Sequence, residues 1–224
     1  MEKEWLVVDK LLSKIKITSN PNNKPVTIHG SLDDLRCIGV GTDAAVFQYA
    51  HKPQYAFKLY AEDKKEKIQT EAEVYQRLKN SPFFATCYYA VYERYLVLSF
   101  EEGITLYDCV LQGIHIPHQV IVDVEDARDF AKEQGLNPRD IHLKNILLQQ
   151  GRAKVIDVSE YGKEGNDLRW EHLKNAYEQY YDLIDGKTIP FWLMQTVQRW
   201  YNQKNFGTFD DFMKDVLRLT VFKK

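Results

Sequence analysis

Apolar positions recur along this chain with two periods, and the switches between them mark its elements. Residues 5–17 carry an apolar stripe at helical spacing, and 19–24, with Asn and Pro, read as a loop. From about 26 to 98 the pattern predicts strands, interrupted once by a helix over 64–79. On that helix Ile68, Ala72, Tyr75 and Leu78 share a face, with Glu71 on its flank. The run Tyr95-Leu96-Val97-Leu98-Ser99-Phe100 has the signature of a buried strand. Glu101-Glu102-Gly103 ends it, and Thr105-Leu106-Tyr107-Asp108 starts a helix. Beyond Leu106 the period is helical, over 114–135, 168–184, 191–202 and 209–219. A hairpin-like pair, 146–148 and 153–156, interrupts it around Gln149-Gln150-Gly151-Arg152. Strands first and helices after predict an α+β fold, and no internal repeat or low-complexity tract appears.

Composition narrows the class of protein. A chain of 224 residues has room for one compact domain or for two small lobes around one cleft. Hydrophobic content of 44% with 28% charged residues belongs to a globular protein and excludes a disordered one. A formal charge of -2 gives no electrostatic ground for wholesale nucleic-acid binding. No apolar run approaches a membrane span, and Met1-Glu2-Lys3-Glu4 does not begin a signal peptide. Cys37, Cys87 and Cys109 are odd in number and lack C-x-x-C spacing, which argues for a reducing compartment and against structural zinc. The expectation is a cytoplasmic protein with neither a membrane nor a nucleic-acid partner.

The chemistry sits in the second half. Arg139-Asp140-Ile141-His142-Leu143-Lys144-Asn145-Ile146-Leu147-Leu148 places an asparagine five residues after an aspartate. Lys154-Val155-Ile156-Asp157-Val158-Ser159 then ends an apolar run on a second aspartate. Phosphoryl transfer from ATP uses such a set: one carboxylate takes the acceptor hydroxyl's proton, while an amide and a second carboxylate hold Mg²⁺ on the phosphates. Upstream, Gly39-Val40-Gly41-Thr42-Asp43-Ala44-Ala45-Val46 reads G-x-G-x-x-A-x-V; by itself it reads as an ordinary hairpin turn. In Tyr55-Ala56-Phe57-Lys58-Leu59, strand alternation puts Ala56 and Lys58 on one face. The following helix offers Glu71 or Glu73 as a partner for Lys58, and either fits a solvated helix face as well.

Taken in order, these segments resemble the protein kinase-like superfamily over 38–159: a glycine-rich loop, a V-A-I-K-like strand, a helix glutamate, a hinge, an R-D-x(4)-N loop and a D-F-G equivalent. The resemblance implies a two-lobed protein kinase-like fold, a single domain over 1–224. Its small β-rich N-terminal lobe (1–100) would carry one key helix, and its C-terminal lobe (101–224) would be compact and helical. It implies ATP and Mg²⁺. Gly39 and Gly41 would close over the phosphates, with Val46, Ala56 and Leu147 around the nucleotide and backbone groups near Ser99 and Glu101 on the adenine edge. Lys58 would contact the α/β-phosphates, oriented by Glu71. Asp140 would accept or position the acceptor hydroxyl, and Asn145 and Asp157 would hold the metal.

Departures from the family pattern bear on function. Pro138 stands where most protein kinases have histidine. Asp157-Val158-Ser159 replaces D-F-G and is similar to the I-D-V-S of RIO-type kinases, so the packing behind the site must be rebuilt around Tyr75 and Pro138. His142 replaces the usual phosphate-contacting lysine and resembles the loop of aminoglycoside and choline phosphotransferases. There is no A-P-E motif, and only 160–167 separate the metal aspartate from the next helix. Three functions stay open: an atypical serine/threonine protein kinase, which Arg139 and the hinge favour; a small-molecule alcohol kinase; and a nucleotide-binding pseudokinase. The acceptor is accordingly a protein or small-molecule hydroxyl.

Overall fold

Alternation along five strands builds the sheet that positions the first group of candidate residues. The computed structural model describes residues 2–79, 81–203 and 208–221. It opens with α1 (Glu2–Leu12), β1 (Ile15–Thr18), β2 (Thr27–Gly30), β3 (Leu35–Val40), β4 (Ala44–Tyr49), β5 (Lys52–Tyr60) and α2 (Glu66–Arg77). β6 (Cys87–Val91), β7 (Tyr95–Ser99), β8 (Ile104–Thr105), α3 (Leu106–Gln112) and α4 (His118–Glu133) follow. β9 (Ile146–Gln149), β10 (Arg152–Val155), α5 (Arg169–Tyr180), α6 (Phe191–Gln203) and α7 (Phe209–Val221) complete the chain. The protein is α+β, with a β-rich region and a helical C-terminal part.

Five strands pair antiparallel in the order β3-β4-β5-β7-β6. Ala45, Phe47, Phe57, Leu59, Tyr95 and Val97 point to one face and pack with Val8 and Leu12 of α1 and with Ile15, Ile17, Val26 and Leu35. Phe47 and Phe57 are fully buried there, each contributing about 1.5–3 kcal/mol of transfer free energy. The residues between them, Val46, Ala56, Lys58, Leu96 and Leu98, therefore belong to the other face.

The helical stripe read over 5–17 covers two elements. α1 stops at Leu12, and Ile15–Thr18 is a strand whose alternating burial pairs Ile15 with Gly30 and Ile17 with Ile28. Ile15 and Ile17 are β-branched and two apart, and a strand places both on the core side. Gly30, at φ +111°, closes this ribbon where an added Cβ would lie 2.0 Å from the Lys14 carbonyl oxygen. The side chain of Trp5 lies outside the described residues.

The described chain forms two compact units, and their division does not follow one cut near residue 100. The first comprises the chain up to Glu102 together with Glu125–Pro138 and Lys154–Gly165; the second comprises Gly103–Val124, Arg139–Ala153 and Asn166 onward. Tertiary hydrogen bonds draw the two late segments into the first unit. Arg77 of α2 bonds the Gln134 carbonyl, and the Asn137 amide donates to the carbonyls of Lys163 (2.6 Å) and Gly165 (2.7 Å).

In the second unit Thr105 caps α3 by accepting the Asp108 N–H at 3.0 Å, and β8 pairs with β9 through Ile104–Leu148 and Thr105–Leu147. The helix expected over 114–135 begins only at His118, immediately after Pro117. Asp123, with 1% of its surface exposed, is the polar knot of this unit. It accepts from Arg152 Nε (2.8 Å) and Nη2 (2.7 Å), the Ala153 N–H (2.8 Å) and Gln119 Nε2 (2.9 Å). Burial opposes the ionised form, and these donors more than reverse that, holding the carboxyl below its ordinary value of 3.8.

Replacing Asp123 with Ala should lower stability by about 2–3 kcal/mol, because it orphans a buried N–H and an arginine contact. A depressed folded-state value means Asp123 contributes fully above 3.8, and its contribution is lost as pH falls through the lower folded value. Urea unfolding from about pH 6 down to pH 2 should show a shallower acid limb in Asp123→Asn than in the wild type.

Candidate active-site residues in the two units

In the first unit a buried lysine organises everything around it. Lys58 lies on the strand face opposite the main core, and its Nζ donates to Glu71 Oε1 at 2.7 Å and Oε2 at 2.9 Å. Glu71 is 1% exposed, so α2 turns it inward with Ile68, Val74 and Tyr75. Glu73 is exposed and accepts from Gln69 at 3.0 Å. The structure thus pairs Lys58 with Glu71, the one of the two glutamates that the kinase resemblance implied. A third contact runs from Lys58 Nζ to Asp157 Oδ1 at 3.3 Å.

Electrostatics explain why this group stays charged. Burial pulls the Lys58 ammonium down, but the Asp157 and Glu71 carboxylates more than reverse that and leave it above its ordinary value. Glu71 is pushed up by burial, with Lys58 and the Tyr60 hydroxyl opposing. Asp157 is held below its usual range: burial opposes its charge, while Lys58 and the Ser159 N–H at 3.0 Å favour it. The sequence reading did not single out Tyr60. Its hydroxyl donates to Glu71 Oε2, and Lys58 Nζ lies 5.6 Å from its ring centroid. Two positions beyond Lys58 on the same strand, Tyr60 shares its face, and that spacing was the available signal.

Other expected positions in this unit take definite places. Gly39 lies in β3 opposite Val46, and Gly41 closes the β3–β4 turn by donating to the Ala44 carbonyl at 2.9 Å. Neither has a positive φ, so the glycines leave space and are not required by backbone conformation. Lys67 of α2 holds Asp43 of this turn at 2.6 Å. Ala56 is buried one pleat from Lys58. At the hinge the Ser99 N–H donates to Thr86 O at 2.8 Å and the Phe100 N–H to Gln54 O at 2.9 Å. These donors are committed to neighbouring segments, so Ser99 presents no N–H to an adenine. Its hydroxyl donates to Glu101 Oε1 at 2.5 Å. Behind Asp157, Val158 and Pro138 are buried, and the Tyr75 hydroxyl reaches the Ile156 carbonyl at 3.4 Å. Tyr161 and Phe84 fill the same region edge to face.

In the second unit the loop around Asp140 is held by its neighbours in an uncommon conformation. Asp140 has φ +56°, which costs a non-glycine residue of order 1–3 kcal/mol and persists only when surroundings over-determine it. Its N–H donates to Asp167 Oδ2 at 2.9 Å, its carbonyl accepts from Asn145 Nδ2 at 3.1 Å, and its carboxylate is paired with Arg169. Asp167 Oδ1 accepts the Arg169 N–H at 3.2 Å. Asp167 and Arg169 were absent from the sequence reading, since nothing local shows a carboxylate bonding a backbone 27 residues upstream. His142 Nδ1 accepts the Lys144 N–H at 3.3 Å, which places a neutral ring's proton on Nε2, 4.0 Å from Asp140 Oδ1. Leu147 is buried on β9 opposite Thr105.

These donors suit magnesium as a class. Mg²⁺ at nucleotides takes one or two protein oxygens and completes its octahedron with phosphates and water. Asp157 offers an ionised carboxylate whose side chain is 35% exposed. Asn145 commits its Nδ2 to the Asp140 carbonyl and retains an amide oxygen. Among the described residues no cluster of three or more His, Cys, Asp or Glu could hold a metal.

Glu71→Gln should lower stability by about 3 kcal/mol, since it leaves the buried ammonium with Asp157 as its one remaining carboxylate among the described residues, whereas Glu73→Gln should change it by less than about 0.5 kcal/mol. Tyr60→Phe falls between, at about 1–2 kcal/mol for one hydrogen bond to a buried charged group. Chemical unfolding of the three variants checks that order; equal effects of Glu71→Gln and Glu73→Gln would contradict the pairing.

No family model matches the chain. A search of curated proteins matches "Putative serine/threonine-protein kinase YrzF" of Bacillus subtilis (strain 168), 34% identical over 165 residues, which cover 72% of this chain and 76% of that protein. Identity at that level across three quarters of the relative cannot come from a shared motif alone. The chain belongs to the kinase-like family that includes YrzF.

Proposed function

We propose that this protein is an ATP- and Mg²⁺-dependent phosphotransferase that moves the γ-phosphate to a hydroxyl, with serine or threonine of a protein as the acceptor. The observation that carries this reading is the buried Lys58, held by both oxygens of Glu71 and touching Asp157. An ammonium kept charged and immobile beside a partly exposed carboxylate is suited to bind a polyphosphate through a bridging cation. Mg²⁺ would neutralise phosphate charge, and the kinase resemblance implies Asp157 and Asn145 as the residues that would hold it. Lys58 orients the α- and β-phosphates. Gly39 and Gly41 leave backbone space over them, and Val46, Ala56 and Leu147 supply apolar surface for the base. Asp140 receives or directs the acceptor's proton. Its strained backbone, held by Asp167 and Asn145, supports turnover over mere binding, because nucleotide binding alone makes no demand on that carboxylate.

The name of the YrzF protein supports a protein hydroxyl as acceptor. A small alcohol is the second reading, favoured by the short connection from Asp157 to α5, which leaves little chain for a peptide-docking platform, and by His142 beside Asp140. Incubation with γ-labelled ATP and Mg²⁺, with the chain alone and with cell extract, separates the two. Label entering protein supports the first, label only in a small metabolite the second, and tight binding without transfer to any acceptor removes both.

Asp140→Asn should lower the transfer rate roughly 10²–10⁴-fold while leaving nucleotide affinity within about twofold. Asp157→Ala should abolish the metal-dependent part of thermal stabilisation by ATP. Calorimetry and melting curves with and without Mg²⁺ check both, and an unaltered metal effect in Asp157→Ala would remove that residue from the nucleotide site.

A further inference from the structure

We propose that Arg169 is the cation that receives the transferred phosphoryl group, resting on Asp140 until the acceptor's proton arrives; this rests on the phosphotransfer reading above. Three observations lead to it. The Arg169 guanidinium is paired directly with the Asp140 carboxylate, so it lies within one hydrogen bond of the group that an attacking hydroxyl must touch. The loop's own lysine is directed elsewhere: Lys144 Nζ lies 4.6 Å from the centroid of the Tyr107 ring. His142, whose Nε2 lies 4.0 Å from Asp140 Oδ1, has its Nδ1 engaged by the Lys144 N–H. The catalytic loop therefore delivers no lysine to the place where charge develops, and α5 delivers an arginine from 29 residues downstream.

Arg169 is also built to hold its position. Its backbone N–H and its Nε, at 3.2 Å and 3.7 Å, address the two oxygens of Asp167, the carboxylate that also accepts the Asp140 N–H. One acidic group thus fixes the backbone of the base and the stem of the arginine together. The guanidinium side chain remains 39% exposed, and its planar fork matches the spread oxygens of a phosphoryl group better than an ammonium does.

The chemistry gives the arginine a reason to change partners. The acceptor oxygen attacks the γ-phosphorus of ATP and forms the new O–P bond. The bond from phosphorus to the bridging oxygen breaks, and that oxygen leaves with its electron pair as part of ADP. The hydroxyl proton passes to the Asp140 carboxylate. On protonation Asp140 loses the charge that held Arg169, while the equatorial phosphoryl oxygens carry negative charge through the transfer. The guanidinium's preferred partner shifts to the phosphoryl group, with Asp167 as its pivot.

The test compares wild type, Arg169→Gln and Arg169→Lys in two measurements: steady-state transfer from γ-labelled ATP, and calorimetric affinity for Mg·ADP with and without aluminium fluoride, a mimic of the transferred phosphoryl group. All three proteins should bind Mg·ADP within about twofold of one another. The wild type should gain affinity on adding aluminium fluoride. Arg169→Gln should lose at least about tenfold of that gain and roughly 10²-fold or more in kcat, with Arg169→Lys recovering part of each. An Arg169→Gln protein that keeps the gain and kcat overturns the proposal, and one that turns over faster shows the arginine to be a lock on Asp140. Should Arg169→Gln fail to fold, an Arg169→Lys protein indistinguishable from wild type in both measurements reduces the pair to a structural salt bridge. A wild type that neither binds Mg·ADP nor transfers label fails at the phosphotransfer reading itself, whereas transfer with an indifferent arginine fails only here.

Discussion

A buried ammonium is among the most expensive groups a small sheet can contain, and the first unit is arranged around making Lys58 tolerable. Burial would strip its charge unless carboxylates surround it, and two do, Glu71 from α2 and Asp157 from beyond β10. That requirement fixes the register of α2 against β5, because a one-residue rotation would send Glu71 outward and bring an apolar side chain in. Tyr60 extends the network by donating to Glu71, so two residues of one strand face hold one residue of the helix. A salt bridge this well enclosed is weak evidence for stability. Its value is specificity, since any arrangement that separates the three groups leaves a charge buried without a partner.

The second unit solves a different problem, which is presenting a carboxylate at a defined place. Asp140 sits at φ +56°, and the Asp167 carboxylate and the Asn145 amide occupy its backbone donor and acceptor. Strain held by two neighbours is the mark of a position the fold has to defend. Asn145 serves the loop's geometry through its Nδ2, which makes it a structural residue as well as a metal donor in the proposed chemistry. The same economy appears at Asp123, where one buried carboxylate takes the head of Arg152, the Ala153 N–H and the Gln119 amide, tying β10 to α4.

Likeness to the YrzF protein over 72% of the chain supports kinase-like chemistry, and these two groups of residues agree with it. Among the described residues no helix is long and apolar enough to cross a membrane. Around Asp157 the chain is well buried: Val158, Pro138, Tyr75, Tyr161 and Phe84 are all buried, with Phe84 and Tyr161 edge to face.

Periodicity and motif order alone determined much of this protein. The α2 stripe, the buried run at Tyr95–Ser99 and the β9–β10 hairpin were legible, because each depends on spacing within a few residues, whereas the choice of Glu71 over Glu73 for Lys58 came only from the kinase resemblance. Sequence reasoning failed where one residue's partner lies far along the chain. It ran α1 into β1, because Ile15 and Ile17 fit a helical stripe until pairing with β2 makes them a strand. It overlooked Asp123, Asp167 and Arg169, whose meaning lies in contacts 27 to 30 residues away. Local spacing carries information about which face a side chain takes. Which charged group meets which across the fold depends on long-range burial, where an unpaired group costs most and where only the tertiary structure decides the pairing.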